Sequence, residues 1–366
     1  MSENPVRNLI GDLGEQLSKR EHSNVILPVG QMKTFPITPD RFKEIKENVN
    51  PKKIAFIDGG DGALEESPNF LIAINRVYFS MFAGKNRIKP KKLKQRLEFF
   101  STIVSSVSNE GGKKRISYET KLYPYDQKER VCLPEESDLA SQTQSTTILE
   151  RSRLTSLARR FAEWKLAAQV VKEELDAGDM IVLDGSLQTN FKNETEYAKN
   201  LYSEGIKKGV IVCGLTKTSR LITDSGDPLL ARISEISEGV SFGKWFVEVA
   251  ESASADDRGF LMGAKFHDKS KHVFRFEILL EQFKKMTDQE KNDVLGSLAA
   301  NSEDIAMLGY PYGMIDADRF AQVRMNELNM YRGMMMAEMS RHPEWKRLLK
   351  YTLTTKFHDD LNWVTS

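Results

Sequence analysis

The chain has 366 residues, of which 40% are hydrophobic and 29% charged, and its 53 Lys+Arg against 52 Asp+Glu leave a formal charge of +1. This length suits two compact domains or one large one with appendages, and the composition excludes a disordered or membrane-embedded chain. As a whole-chain average, the near-neutral balance also weighs against a strongly basic nucleic-acid protein.

Residues 1–50 read as a polar arm: a short helix over Val6–Arg20, an extended piece, and a charged helix over Pro39–Glu47. The first 30 residues hold no apolar h-region, so a secretory signal is not expected. The run Lys53-Ile-Ala-Phe-Ile-Asp58 is apolar and ends in Asp58-Gly59-Gly60-Asp61-Gly62, which predicts a buried strand followed by a turn. Branched and aromatic residues predict a second strand over Phe70–Phe82. This is the longest apolar stretch, but Asn75 and Arg76 interrupt it, well short of the ~18 apolar residues of a membrane span. A further strand is predicted over Ile116–Tyr125, after Gly111-Gly112. Cys132 and Cys213 lack metal-site spacing, and no disulfide is expected between them. These features describe a soluble cytoplasmic chain with no membrane association.

From Thr147 to Leu175 the pattern turns helical. Leu154, Leu157, Phe161, Trp164, Ala168, Val171 and Leu175 recur at three- and four-residue steps and mark one buried face. Met180–Asp184 predicts a buried strand ended by Gly185-Ser186. Asn193, with Glu196 three residues on, fits the N-cap of a helix running to about Lys208. Gly209–Gly214 is a further strand, and Phe242–Ala250, Gly259–Phe266 and His272–Leu279 look like an antiparallel group. Thr287-Asp-Gln-Glu290 is a capping box opening a helix to about Leu298. Another helix begins near Ile315, and the tail from Met325 is Met-rich and mostly helical. The succession predicts an α/β fold with a mixed sheet flanked by helices, divided as an arm (1–50), a main domain (51–330) and a helical tail (331–366).

Asp58 and Asp184 are the clearest chemical candidates. Each follows an apolar strand and precedes a glycine, so each carboxylate is expected at the sheet's C-terminal edge, where open α/β sheets bind ligands. Two such carboxylates suit Mg²⁺ or Mn²⁺, which take hard oxygen ligands; an ordinary Asp-Gly turn is the bland alternative. A third carboxylate is expected from the preceding helix. Glu163 lies beside its apolar stripe, with Glu150 as the fallback, although a solvated glutamate is the default on such a helix. Lys217 and Arg220, on the loop after the Gly209–Gly214 strand, can hold a phosphate. Lys85, Arg87, Lys89, Lys91, Lys92, Lys94 and Arg96 fall within an acid-free stretch, and Lys113, Lys114 and Arg115 form a second basic cluster. Such patches attract a phosphate backbone, although a charge run is more often a solvated face. His358 is the one histidine beside paired carboxylates, Asp359 and Asp360. No Walker A, Gly-x-Ser-x-Gly, His-Glu-x-x-His or dinucleotide-binding pattern occurs.

Ile57-Asp58-Gly59-Gly60, Arg160-Phe-Ala-Glu163, Val182-Leu-Asp184-Gly185-Ser186, Gly214-Leu-Thr-Lys217 and Gly309-Tyr310-Pro311-Tyr312 with Ala317-Asp318-Arg319 stand in the order found in NurA nucleases. Over roughly residues 50–330 the chain resembles that family. The resemblance implies an RNase H-like fold and Mn²⁺-dependent (or Mg²⁺-dependent) exonuclease and single-strand endonuclease activity on DNA. It also implies a homodimer that works with a HerA-type hexameric ATPase in DNA end processing or anti-phage defence. Asp58, Glu163 and Asp184 correspond to the family's metal-binding carboxylates, and Lys217 to its lysine. Near Tyr310, where many relatives place a histidine ligand, this sequence offers Asp318, and His358 is the other option. Two other readings remain: a phosphotransferase of the actin and sugar-kinase type, with Asp58-Gly59-Gly60 as a phosphate loop, and a DNA-binding or ATPase-docking subunit without catalysis. The Met-rich stretch Met325–Met339 and the N-terminal arm are expected to serve the dimer or ATPase docking, with core packing as the plain alternative for the methionines.

Overall fold

The computed structural model describes residues 4–18, 22–27, 32–48, 51–110, 113–140, 151–252, 254, 256–344 and 346–352. An isolated helix, α1 (Pro5–Ser18), precedes two short strands, β1 (Met32–Thr34) and β2 (Lys43–Glu44). A long meander follows: β3 (Lys53–Ser67), β4 (Phe70–Ala83), β5 (Asn86–Ile88), β6 (Arg96–Glu110) and β7 (Lys113–Pro124). After α2 (Glu136–Ala140) comes an alternating stretch of α3 (Arg151–Glu174), β8 (Met180–Asp184), α4 (Glu194–Lys208), β9 (Ile211–Thr216) and α5 (Leu229–Ser237). Strands β10 (Trp245–Ser252), β11 (Gly259–Lys265) and β12 (Phe274–Leu279) then lead into α6 (Leu280–Phe283), α7 (Asp288–Ala300), α8 (Tyr312–Ala321) and α9 (Met325–Met339).

All twelve strands share one sheet, ordered β1-β10-β11-β12-β9-β8-β3-β4-β6-β7, with β2 on β10 and β5 on β4. Only β3–β8 and β8–β9 pair in parallel, so the sheet is mixed and mostly antiparallel. Alternation explains its two buried faces. Ala55 and Ile57 join Ile181, Leu183 and the inner faces of α3 and α4, while Ile54 and Phe56 join Met180, Val182, α7 and α8. A strand covered on both sides reads as a continuous apolar run, as these do. The predicted stripe of α3 is buried throughout. No helix among the described residues is long and apolar enough to cross a membrane.

Four expectations need correction. Pro39–Glu47 is not a helix: Pro39–Arg41 form a single 3₁₀ turn, and β2 then pairs with β10. Phe42 packs edge-on against Trp245 with ring centroids 4.8 Å apart, so tertiary contact overrides local propensity. Asn193 occupies the N-cap of α4 but makes no capping bond. Its φ is +67°, and the amide donates to Asp138 Oδ1 at 3.2 Å. The largest difference is at Asp58–Gly62, which is no turn: β3 runs straight through it and pairs with β4 as far as Ser67. Helix α8 also starts earlier than expected, at Tyr312.

The glycines of β3 admit close neighbours instead of bending the chain. A Cβ on Gly59 would lie 2.2 Å from Glu163 Oε1 of α3, one on Gly60 2.4 Å from the Ala321 carbonyl at the end of α8, and one on Gly62 2.7 Å from Leu328 of α9. Helix α9 is held there by Leu328 and Tyr331 against Leu64 and Ile74. Arg76 adds an ion-pair network, bonding Glu98 Oε2 at 2.6 Å and Glu327 Oε1 at 2.8 Å. Helix α8 uses the same device in reverse, because a Cβ on its Gly313 would fall 1.9 Å from the Phe56 ring. Gly313→Ala should therefore overpack this contact and cost about 1–3 kcal/mol of stability, read as a lower midpoint in denaturant unfolding.

Candidate metal centre

Strands β3 and β8 run parallel with Ile57 opposite Leu183, so the next residues, Asp58 and Asp184, lie side by side. Asp184 ends its strand as expected, whereas Asp58 sits in mid-strand. Helix α8 brings Asp318 to the same point, and one carboxylate oxygen from each of the three lies within 4.8 Å of the others. Lys217, just beyond β9, bridges two of them, with Nζ 2.9 Å from Asp184 Oδ2 and 2.6 Å from Asp318 Oδ1. The same ammonium stands 5.7 Å from the centre of the Tyr310 ring. The Tyr310 hydroxyl is buried without a hydrogen-bond partner among the described residues and lies in the field of all three aspartates.

Glu163 lies on the edge of this group, over Gly59, and couples electrostatically to Asp58 and Asp184. Its carboxylate is paired with Arg159 one helical turn earlier. Arg159 also donates from Nε to Asp61 Oδ1 at 2.9 Å and from Nη1 to the Gly59 carbonyl at 3.1 Å. The one sequence signal for this clamp is an Arg–Glu pair spaced i,i+4 on a helix; its contacts to Asp61 and Gly59 come from tertiary packing. Glu150 and His358 lie outside the described residues.

Crowded like charges set the protonation states. Burial, then Asp184 and Glu163, push the Asp58 carboxyl up to about 8, against the pull of Lys217 and the Gly59 N–H, which donates to Asp58 Oδ1 at 2.7 Å. Burial likewise raises Glu163, with Arg159 and Arg160 opposing. Burial would lower Lys217, but Asp184, Asp318 and Asp58 outweigh it and hold the ammonium above the ordinary lysine range. The donor set is all oxygen, with negative charge in excess and an orphaned hydroxyl beside it. That chemistry fits a hard divalent cation of the Mg²⁺ or Mn²⁺ kind.

The predicted basic residues do not join this centre as one patch. Lys85 pairs with Glu303, Arg87 with Asp316, Lys92 with Glu173, Lys94 with Asp126 and Glu129, and Arg96 with Glu98. Lys89 and Lys91 form no ion pair among the described residues; they lie on the same segment, where the Lys91 N–H donates to Glu174. Lys113 and Arg115 belong to the end of the β6–β7 hairpin, and Lys114 there is exposed, as is Arg220 beyond β9.

The raised Asp58 has a consequence for stability. Between about pH 4 and pH 8 the unfolded chain has lost this proton and the folded chain keeps it, so metal-free stability falls as pH rises through that window. Asp58→Asn should flatten the decline in melting temperature measured in chelator, and should melt higher than the parent at pH 8.

The sequence pattern described as the NurA domain matches residues 52–323, a span that contains Asp58, Glu163, Asp184, Lys217 and Asp318. No curated protein matches the chain. Among solved structures, "Crystal structure of Aa-Ago with externally-bound siRNA" is similar over 76% of this chain and 28% of that one, at 9% identity. Its TM-score of 0.28 is too low to carry any argument. With most of its length matched by one domain, carboxylates included, the chain belongs to the NurA family of nucleases.

Proposed function

We propose that this chain is a divalent-metal-dependent deoxyribonuclease, Mn²⁺ or Mg²⁺ being held by Asp58, Asp184 and Asp318, with Glu163 beside them. The observation that carries the reading is the meeting of three carboxylates from β3, β8 and α8 within 4.8 Å, in a member of a nuclease family. The strand order β6-β4-β3-β8-β9, three antiparallel strands continued by two parallel ones, supports an RNase H-like core. Asp58-Gly59-Gly60 lies inside a strand and forms no loop, which removes the phosphate cradle that a kinase reading needs.

A divalent cation bound here activates water and stabilises charge developing on phosphate. The chain's own groups divide the remaining work. Asp58 and Asp184, fixed on adjacent strands, set the position of the site and would hold the cation as carboxylates. Lys217 is spanned by two aspartates, so its ammonium stays charged and is available to neutralise the scissile phosphate. The Tyr310 hydroxyl has no acceptor and can donate to a phosphate oxygen. Arg159 pairs with Glu163 over Gly59 and opposes the burial that raises its carboxyl.

Assembly as a homodimer, docking to a HerA-type ATPase and a cytoplasmic role in end processing or phage defence belong to the same proposal. Exposed apolar side chains support contact surfaces at both ends of the chain: Val6, Leu9 and Ile10 on α1, and Met325, Met330 and Met334 on α9. Mn²⁺-dependent digestion of end-labelled DNA tests the catalytic core. Loss of outer-shell partners alone costs metal sites 10–100-fold, so Asp58→Ala and Asp184→Ala should each lower the rate by at least about a hundredfold. Cutting by Asp58→Ala at the parental rate would refute the assignment.

A further inference from the structure

The segment between α7 and α8 projects an apolar tip beside the carboxylates. Ile305 is 94% exposed and Met307 53% exposed, so two large apolar side chains stand in water two residues apart, which hydrophobic burial opposes. The tip is tied down on both sides. The Ala306 N–H donates to Asp304 Oδ1 at 2.8 Å, the Gly309 N–H to the Ser302 carbonyl at 2.9 Å and the Tyr310 N–H to the Met307 carbonyl at 2.9 Å. At its base, buried Asn301 accepts from the Gly313 N–H at 3.0 Å, which fixes the loop to the start of α8. Gly309 has φ +88°, and a Cβ there would lie 2.6 Å from Ser270 Oγ, so the loop seats directly on the β11–β12 connection.

Between the tip and that connection lies a cavity of about 690 Å³, which reaches the edge of the carboxylate group, where Lys217 and Asp318 line it. Its far wall carries Lys269 and Lys271, both exposed and neither in an ion pair among the described residues. Asp268, next to Lys269 in the chain, is engaged by His267 Nδ1 at 2.9 Å. Two unpaired cations are thus set across the cavity from a protruding isoleucine. Lysines hold a phosphate backbone, and small apolar side chains enter base steps and unstack them.

We propose that Ile305 and Met307 form a wedge that parts the end of a DNA duplex, while Lys269 and Lys271 hold the backbone of the strand directed along the cavity to Asp58, Asp184 and Asp318. The inference rests on the nuclease reading and adds a specificity-determining element to it: residues that decide how a paired substrate is admitted. A wedge acts only on paired DNA, which separates it from a general binding surface or a protein-docking patch.

The test uses the full-length protein in chelator, so that nothing is cut, with a blunt duplex carrying a fluorescent adenine analogue in its terminal pair. The parent should raise the analogue's fluorescence as the pair opens. Ile305→Asp should reduce that rise by about tenfold while binding a single strand as tightly as the parent. Lys269→Glu combined with Lys271→Glu should weaken both duplex and single-strand binding by about tenfold. No rise with the parent, an undiminished rise with Ile305→Asp, or equal loss of duplex and single-strand binding in Ile305→Asp would overturn the wedge. Because no cleavage is read, normal cutting by Asp58→Ala would remove the nuclease reading and leave the fluorescence result to stand or fall alone.

Discussion

Like charges held at close range are the constraint around which this fold is arranged. Three carboxylates converge from a mid-strand position, a strand end and a helix, and a fourth stands against their edge. Without compensation such a group would repel itself apart or take up protons. Compensation comes from two cations, each stretched across two acids: Lys217 between Asp184 and Asp318, and Arg159 between Glu163 and Asp61. What these cations leave uncompensated, together with burial, raises the Asp58 carboxyl. The parallel pairing of β3 with β8 brings Asp58 and Asp184 side by side, and that of β8 with β9 leads on to Lys217.

Much of this was legible in the sequence because apolar runs on buried strands are conspicuous. Both strands bearing Asp58 and Asp184, the stripe of α3 and the capping box of α7 follow from local patterning alone, and the family's motif order pointed to Asp318 and Lys217. What local patterning missed was decided by distant partners. Glycine after aspartate signals a turn in most settings, and nothing near Asp58 reveals that α3, α8 and α9 will each need the space a side chain would fill. Phe42 looks helical until Trp245, some two hundred residues away, claims it.

Charge follows the same rule. The balance of basic and acidic residues across the chain is mirrored by local pairing in the 85–96 segment, where Glu303, Asp316, Glu173 and Asp126 each meet a cation. A run of lysines in sequence is therefore a poor guide to field, because acids brought in by folding cancel it. Lys269 and Lys271 are inconspicuous in the sequence, yet they line a cavity and form no ion pair among the described residues.

The long strand β3 carries a last implication, for how this chain can drift. Gly59, Gly60 and Gly62 are each pressed by a different helix, so their sequence is dictated from outside the strand. A lineage that enlarged Gly60 would have to retract the backbone at the end of the helix that carries Asp318, while one that enlarged Gly59 or Gly62 would have to displace the side chains of Glu163 and Arg159 or of Leu328. Innovation in this protein is thus channelled towards its rims and loops, while the middle of β3 stays fixed by three simultaneous vetoes.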